Sequence, residues 1–130
     1  MKILKKESAP RYVREGITSY LLVSPRTSNA THLTTSVVEM KPGGEQKIHH
    51  HAPEQIYYIL EGSGCMTVAD ETARVGPGDC IFIPSNIPHG FKNDGKVHVK
   101  YFSAAAPSFG REQLERLWPL KSEIETEKRI

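Results

Sequence analysis

The sequence predicts an all-β domain, a sandwich or a closed barrel, and three observations point there. Most of the chain divides into short runs rich in β-branched and aromatic residues, separated by Gly, Pro, Asn and Asp. A helical period emerges only near the C-terminal end. The 130 residues suit one domain, which at this size buries about two-thirds of the surface its unfolded chain exposes. Hydrophobic residues make up 38% and charged residues 25%, enough for one core without disulfide or metal staples.

In order, residues 16–24 (GITSYLLVS) read as a strand ended by Pro25, and Arg26-Thr27-Ser28-Asn29 as a polar loop. Residues 34–40 (TTSVVEM) form a β-branched strand that stops at the turn Lys41-Pro42-Gly43-Gly44. Residues 46–51 precede a break at Pro53, and residues 55–60 (QIYYIL) run to Glu61-Gly62-Ser63-Gly64. Residues 65–69 (CMTVA) turn at Asp70-Glu71 into 72–75, which end at Gly76-Pro77-Gly78-Asp79. Gly62, Gly76 and Gly78 are expected to supply turn conformations that other residues enter at a cost. Residues 80–83 (CIFI) precede Pro84, and 89–92 lead to Asn93-Asp94-Gly95, a hairpin signal. Residues 97–103 (VHVKYFS) are the last strand.

After it, Ser108 is expected to cap a short helix with Leu114, Leu117 and Trp118 on one face, stopped by Pro119 and packed on the outside of the barrel. Residues 121–130 are nearly all charged or polar and read as a loosely ordered tail. Nothing repeats, so residues 1–130 are expected to form a single domain.

The formal net charge is +2 with basic residues scattered, which argues against a nucleic-acid partner. Cys65 and Cys80 fall in different apolar runs and read as small buried hydrophobes rather than a disulfide framework or a CxxC pair. The first residues lack the apolar stretch of a signal peptide, and no run approaches the ~18 apolar residues of a membrane span. The expected location is cytoplasmic, with no membrane partner.

The chemistry lies in Gly43-Gly44-Glu45-Gln46-Lys47-Ile48-His49-His50-His51-Ala52-Pro53-Glu54-Gln55. Side chains alternate along a strand, so His49 and His51 would share a face and His50 would oppose them. Pro53 interrupts the parity that would carry Gln55 to the same face. His89 begins a later strand, which a rolled sheet would bring to the same place.

These residues resemble the two motifs of the cupins. The first is a Gly, five residues, His-x-His, three or four residues, a Glu, six residues and a Gly, filled here by Gly43, His49, His51, Gln55 and Gly62. The second is Gly-Asp, four residues, Pro, a short loop, His, three residues and Asn, filled here by Gly78-Asp79, Pro84, His89 and Asn93. The resemblance implies a jelly-roll barrel (a double-stranded β-helix) of the small RmlC-like kind, with motifs at residues 43–62 and 78–93. It further implies one divalent transition-metal ion, Mn, Fe, Co, Ni, Cu or Zn, held by His49, His51, Gln55 and His89. Asn93 would support a turn.

Gln55 replaces the usual Glu, so the donor set is neutral and an anionic ligand would be favoured at the open positions. Glu54 is expected to point away, His32, His50 and His98 to take no part, and the His triplet to belong to the motif rather than to a tag.

By parity Tyr57, Ile59, Phe91, Val99 and Tyr101 would line a cavity suited to a small organic molecule, with Tyr57 as hydrogen-bond donor or proton-transfer group. The resemblance implies metal-assisted isomerisation, decarboxylation or sugar-acid conversion. Alternatives are a non-catalytic sensor or carrier of small molecules and a metal-dependent dioxygenase. It also implies a homodimer through sheet edges or N-terminal strands, for which residues 17–23 are an apolar candidate.

Overall fold

The computed structural model describes residues 1–117. Among the described residues, ten strands form two antiparallel sheets: β1 (Arg11–Arg14), β2 (Ile17–Leu21), β3 (Thr34–Met40), β4 (Glu45–His49), β5 (Glu54–Glu61), β6 (Gly64–Val68), β7 (Glu71–Val75), β8 (Cys80–Ile83), β9 (His89–Lys92) and β10 (Val99–Ala106). The six-stranded sheet runs β1-β2-β3-β10-β5-β8 and the four-stranded sheet β4-β9-β6-β7. This is the expected jelly roll. Alternation decides what it encloses: on β5 Gln55, Tyr57 and Ile59 are buried, whereas Glu54, Tyr58 and Leu60 are exposed. Val38, Met40, Ile59, Ile83, Val99 and Tyr101 meet Met66 and Phe91 of the opposing sheet in one cluster. Burial of such side chains, each about 1.5–3 kcal/mol, holds the sheets together.

Several local signals resolve differently from the sequence reading. β1 carries Arg11-Tyr12-Val13-Arg14, too polar to read as a strand alone, and it forms because β2 offers it a full ladder from Arg11–Tyr20 to Arg14–Ile17. Residues 25–28 are a single helical turn, α1 (Pro25–Ser28), rather than a loop. Ser24 Oγ accepts from the backbone N–H of Arg26 and Thr27, and Pro25 leads the turn.

Asn93-Asp94-Gly95 does turn the chain, but β9 and β10 pair with other strands and lie in different sheets, so no hairpin forms. Asn93 is the reason: its Nδ2 donates to the carbonyls of Met40 (3.2 Å) and Val97 (2.8 Å), and its Oδ1 accepts from Gly95 N–H (3.1 Å). The last strand accordingly starts at Val99 and runs to Ala106, with His98 and Val97 exposed.

Gly62 has φ +76°, and a Cβ there would stand 2.3 Å from the His98 carbonyl oxygen; Gly78 also has positive φ. Gly76 does not, and contributes instead an N–H bonded to the Asp79 carboxylate (2.8 Å). Both cysteines are free; Cys65 is half-buried, but Cys80 is exposed because the β8 run alternates Ile81 and Ile83 inward with Cys80 and Phe82 outward. The strand proposed for dimerisation, β2, has both edges occupied by β1 and β3.

The C-terminal helix is α2 (Arg111–Leu117). Ser108 does not cap it: its hydroxyl donates to the Phe109 carbonyl (3.1 Å), and the first helical bond runs from Leu114 N–H to the Gly110 carbonyl. Leu114 packs with Leu21, Ala105 and Phe109, and Gln113 borders the barrel's internal cavity, so the helix lies over the cavity mouth rather than on the outer wall. Trp118, Pro119 and residues 121–130 lie outside the described residues, as does the Leu117 side chain. Among the described residues, no helix is long and apolar enough to cross a membrane.

Candidate metal centre and cavity

Four side chains from both sheets converge at one end of the barrel. His49 closes β4 and stands opposite His89 in the β4–β9 ladder, past a register shift between Gln46 and His49. His51 lies beyond the strand in the turn toward β5, so the turn, and not strand alternation, brings it to His49. Gln55 enters from β5 of the other sheet. The ring centroids of His89 are 4.3 Å from His49 and 4.8 Å from His51, and one nitrogen of each of the three rings lies within 4.8 Å of the others.

Each imidazole is tied to a backbone carbonyl through Nδ1: His49 to Lys47 (2.7 Å), His51 to Pro53 (3.0 Å) and His89 to Ile87 (2.9 Å). A carbonyl only accepts, so in His49 and His89 Nδ1 carries the proton and Nε2 presents its lone pair. Burial lowers the pKa of His49 and takes that of His89 down to about 4, in each case partly opposed by the carbonyl bond, so both rings are neutral at neutral pH.

Gln55 Nε2 donates to Ser103 Oγ (2.7 Å), which turns Oε1 toward His51 Nε2 at 2.9 Å. His89 Nε2 is buried without any partner, the only such side-chain atom among the described residues. An orphaned lone pair beside two imidazoles and an amide oxygen is what a divalent transition metal accepts as ligands. The donor set fits the ion.

Beside the cluster lies a cavity of about 80 Å³. Tyr57 and Tyr101 form part of its wall, their rings 4.3 Å apart. Burial pushes the Tyr57 hydroxyl up to about 12, with the neighbouring Tyr101 hydroxyl partly opposing the shift, so Tyr57 keeps its proton at neutral pH. Ile59, Phe91 and Val99 point inward as parity requires but belong to the packed cluster rather than the cavity wall. Glu54, His32, His50 and His98 are exposed.

Sequence reasoning missed four residues here. Ser103 is one step further along the parity that named Val99 and Tyr101 and was within reach. Phe109, edge-on to His51 at 5.0 Å, follows the last strand and carries no local signal. Arg14 and Gln46 come from strand ends whose contact depends on the rolled topology.

The fold and the paired motifs define a class, and the comparisons agree with it: the chain belongs to the cupin family, whose cupin domain matches residues 36–104. MJ1618 of Methanocaldococcus jannaschii is 33% identical over 121 residues, 90% of this chain and 97% of its own. Oxalate decarboxylase OxdC of Bacillus subtilis is 32% identical over 66 residues, 47% of this chain and 17% of that enzyme. The solved structure of the polyketide cyclase RemF from Streptomyces resistomycificus is similar with a TM-score of 0.72 at 25% identity, over 94% of this chain and 97% of that one.

Proposed function

We propose that this chain, as one cupin domain over residues 1–130, is an enzyme that holds a divalent transition-metal ion through His49, His51, Gln55 and His89. Its substrate would be a small anionic organic molecule, undergoing isomerisation, decarboxylation or sugar-acid conversion. The observation that carries the reading is the partnerless Nε2 of His89, aimed at two further imidazoles that are themselves fixed through Nδ1. Such an ion supplies Lewis acidity toward a carbonyl, hydroxy-acid or enolate oxygen.

The chain's own residues supply the rest. The neutral donor set leaves the site cationic and favours an anion. Tyr57, protonated through neutral pH, donates a hydrogen bond into the cavity. Phe109 and Gln113 of α2 line the cavity beside these donors. The similar proteins include a decarboxylase and a cyclase by name, which supports chemistry on oxygenated carbon skeletons without selecting one reaction.

The homodimer and the cytoplasmic location belong to the same proposal. Support for the dimer is the outer face of the six-stranded sheet, where Tyr58, Leu60 and Phe82 are 41%, 42% and 54% exposed.

Elemental analysis of purified protein tests the reading, joined to a thermal-shift screen of small carboxylates and sugar acids before and after chelation. About one metal equivalent per chain, a melting temperature lowered by chelator and turnover of an acid are expected. Metal-free protein whose melting curve ignores both added metal and chelator overturns it.

A further inference from the structure

Arg14 is a cation held by uncharged groups beside the histidine cluster. It closes β1, pairs with Ile17 of β2, and together with Tyr12 lines the cavity beside the histidine cluster, while Val13 between them faces out at 45% exposure. Its guanidinium is held from three sides. Nη1 donates to the Tyr12 carbonyl (3.2 Å) and to Ser19 Oγ (3.1 Å), Nη2 donates to Gln46 Oε1 (2.7 Å), and the cation sits 4.4 Å over the Tyr12 ring. These bonds use three of the five N–H groups an arginine offers, all to uncharged acceptors.

Among the described residues that line the cavity, none is an Asp or Glu. A half-buried cation with no ion pair among the described residues is costly to keep. Burial accordingly lowers the guanidinium's own proton affinity. The cost makes sense where a ligand brings the anion.

Two features define that ligand. The cavity of about 80 Å³ has room for a ligand portion of roughly six non-hydrogen atoms. It adjoins an open groove whose border carries Arg14, Lys41, Lys47 and Arg116 against Glu15 and Glu45, a surplus of positive charge that draws anions inward. A planar fork with free donors matches a carboxylate.

We infer that Arg14 is the carboxylate-binding residue of this cavity, and that its ligand is a short-chain acid with one carboxylate on Arg14 and a second oxygen group facing His49, His51 and His89. This deepens the proposed function and, for its second oxygen, rests on it. Gln46 and Ser19 are positioning residues that aim the fork.

The test uses malonate, its uncharged counterpart malonamide, and inorganic phosphate, titrated calorimetrically into the full chain both zinc-loaded and chelator-treated. Malonate is expected to bind the zinc-loaded protein more tightly than malonamide. Arg14→Gln is expected to lose about ten- to hundred-fold in malonate affinity at unchanged zinc content. Arg14→Lys, which keeps the charge and loses the fork, is expected to lose severalfold, and it provides the measurement if Arg14→Gln does not fold. Equal malonate affinity in either folded variant overturns the assignment, and so does wild type that prefers phosphate to malonate. Failure of the metal reading looks different: wild type then holds no zinc, while the chelator-treated titrations still report on Arg14.

Discussion

The two ends of β9 carry two fully buried polar side chains with opposite fates. Asn93, just past its C-terminal end, has its amide matched by the carbonyls of Met40 and Val97 and by the Gly95 N–H. His89, at its start, has one nitrogen matched and the other left bare. They lie only four residues apart, one opening β9 and the other just beyond it. A buried polar group that serves the fold is satisfied within the fold, whereas one that would serve a ligand leaves its lone pair unmatched by the fold, at a desolvation cost.

That contrast is sharpest in metal content. His89→Ala removes the ligand whose lone pair has no other use, and its loss exceeds the ten- to hundred-fold typical of outer-shell changes. At least a hundred-fold weaker zinc affinity is expected in competition with a chromophoric chelator. Near wild-type affinity would mean that His89 is an ordinary core histidine. His50→Ala, at an exposed neighbour, is the control and should leave affinity unchanged.

At the other end of the strand the readout changes to stability. Asn93→Ala leaves two carbonyls and an N–H in need of partners at the crossing between sheets, and should cost about 3 kcal/mol in denaturant unfolding. Zinc affinity of the folded protein should stay at wild type. In chelator, His89→Ala should cost less, about 1–2 kcal/mol, because it deletes an unsatisfied group along with the packing it removes. Equal losses of stability in the two variants would erase the distinction drawn between the strand ends.

Ser103 mixes the two behaviours. Its hydroxyl accepts from Gln55 Nε2 and so aims Oε1 into the site from the opposing sheet. Ser103→Ala should weaken zinc binding about ten-fold and cost about 1 kcal/mol of metal-free stability. A change in only one of the two measurements would assign Ser103 wholly to the fold or wholly to the site.

How much of this was legible follows the same division. His89 and Asn93 were both readable because their spacing after Gly78-Asp79 and Pro84 is a local pattern. Strand periodicity placed Thr34–Met40 and Cys80–Ile83 at their observed bounds. What failed depended on partners distant in sequence. β1 exists because β2 pairs with it, and Asn93-Asp94-Gly95 signals a turn without saying which strands it joins. Cys80 read as buried because an unbroken apolar run hides its own alternation. Arg14 was invisible for the deepest reason: a charged residue at the end of a polar strand reads as surface until Tyr12, Ser19 and Gln46 are seen to close around it.

The weakest expected effect completes the comparison with polar groups that are satisfied yet solvated. On the outer face of the six-stranded sheet, Glu39 bonds Lys6 (2.6 Å) and Tyr20 (3.2 Å) and lies 3.7 Å from Lys100. Burial alone would raise its pKa, but the two ammonium groups and the Tyr20 hydroxyl outweigh that and hold it below its usual 4.5. A carboxylate depressed on folding adds stability above its unfolded pKa and loses it as pH falls through the folded value. Glu39→Gln should therefore be less stable than wild type at neutral pH by a few tenths of a kcal/mol, since the group is partly exposed and its interactions are screened. The gap should close in acid and shrink in high salt, followed by denaturant unfolding across pH. A loss as large as that of Asn93→Ala would show that solvent exposure, which separates this cluster from the ends of β9, does not set what a polar group contributes here.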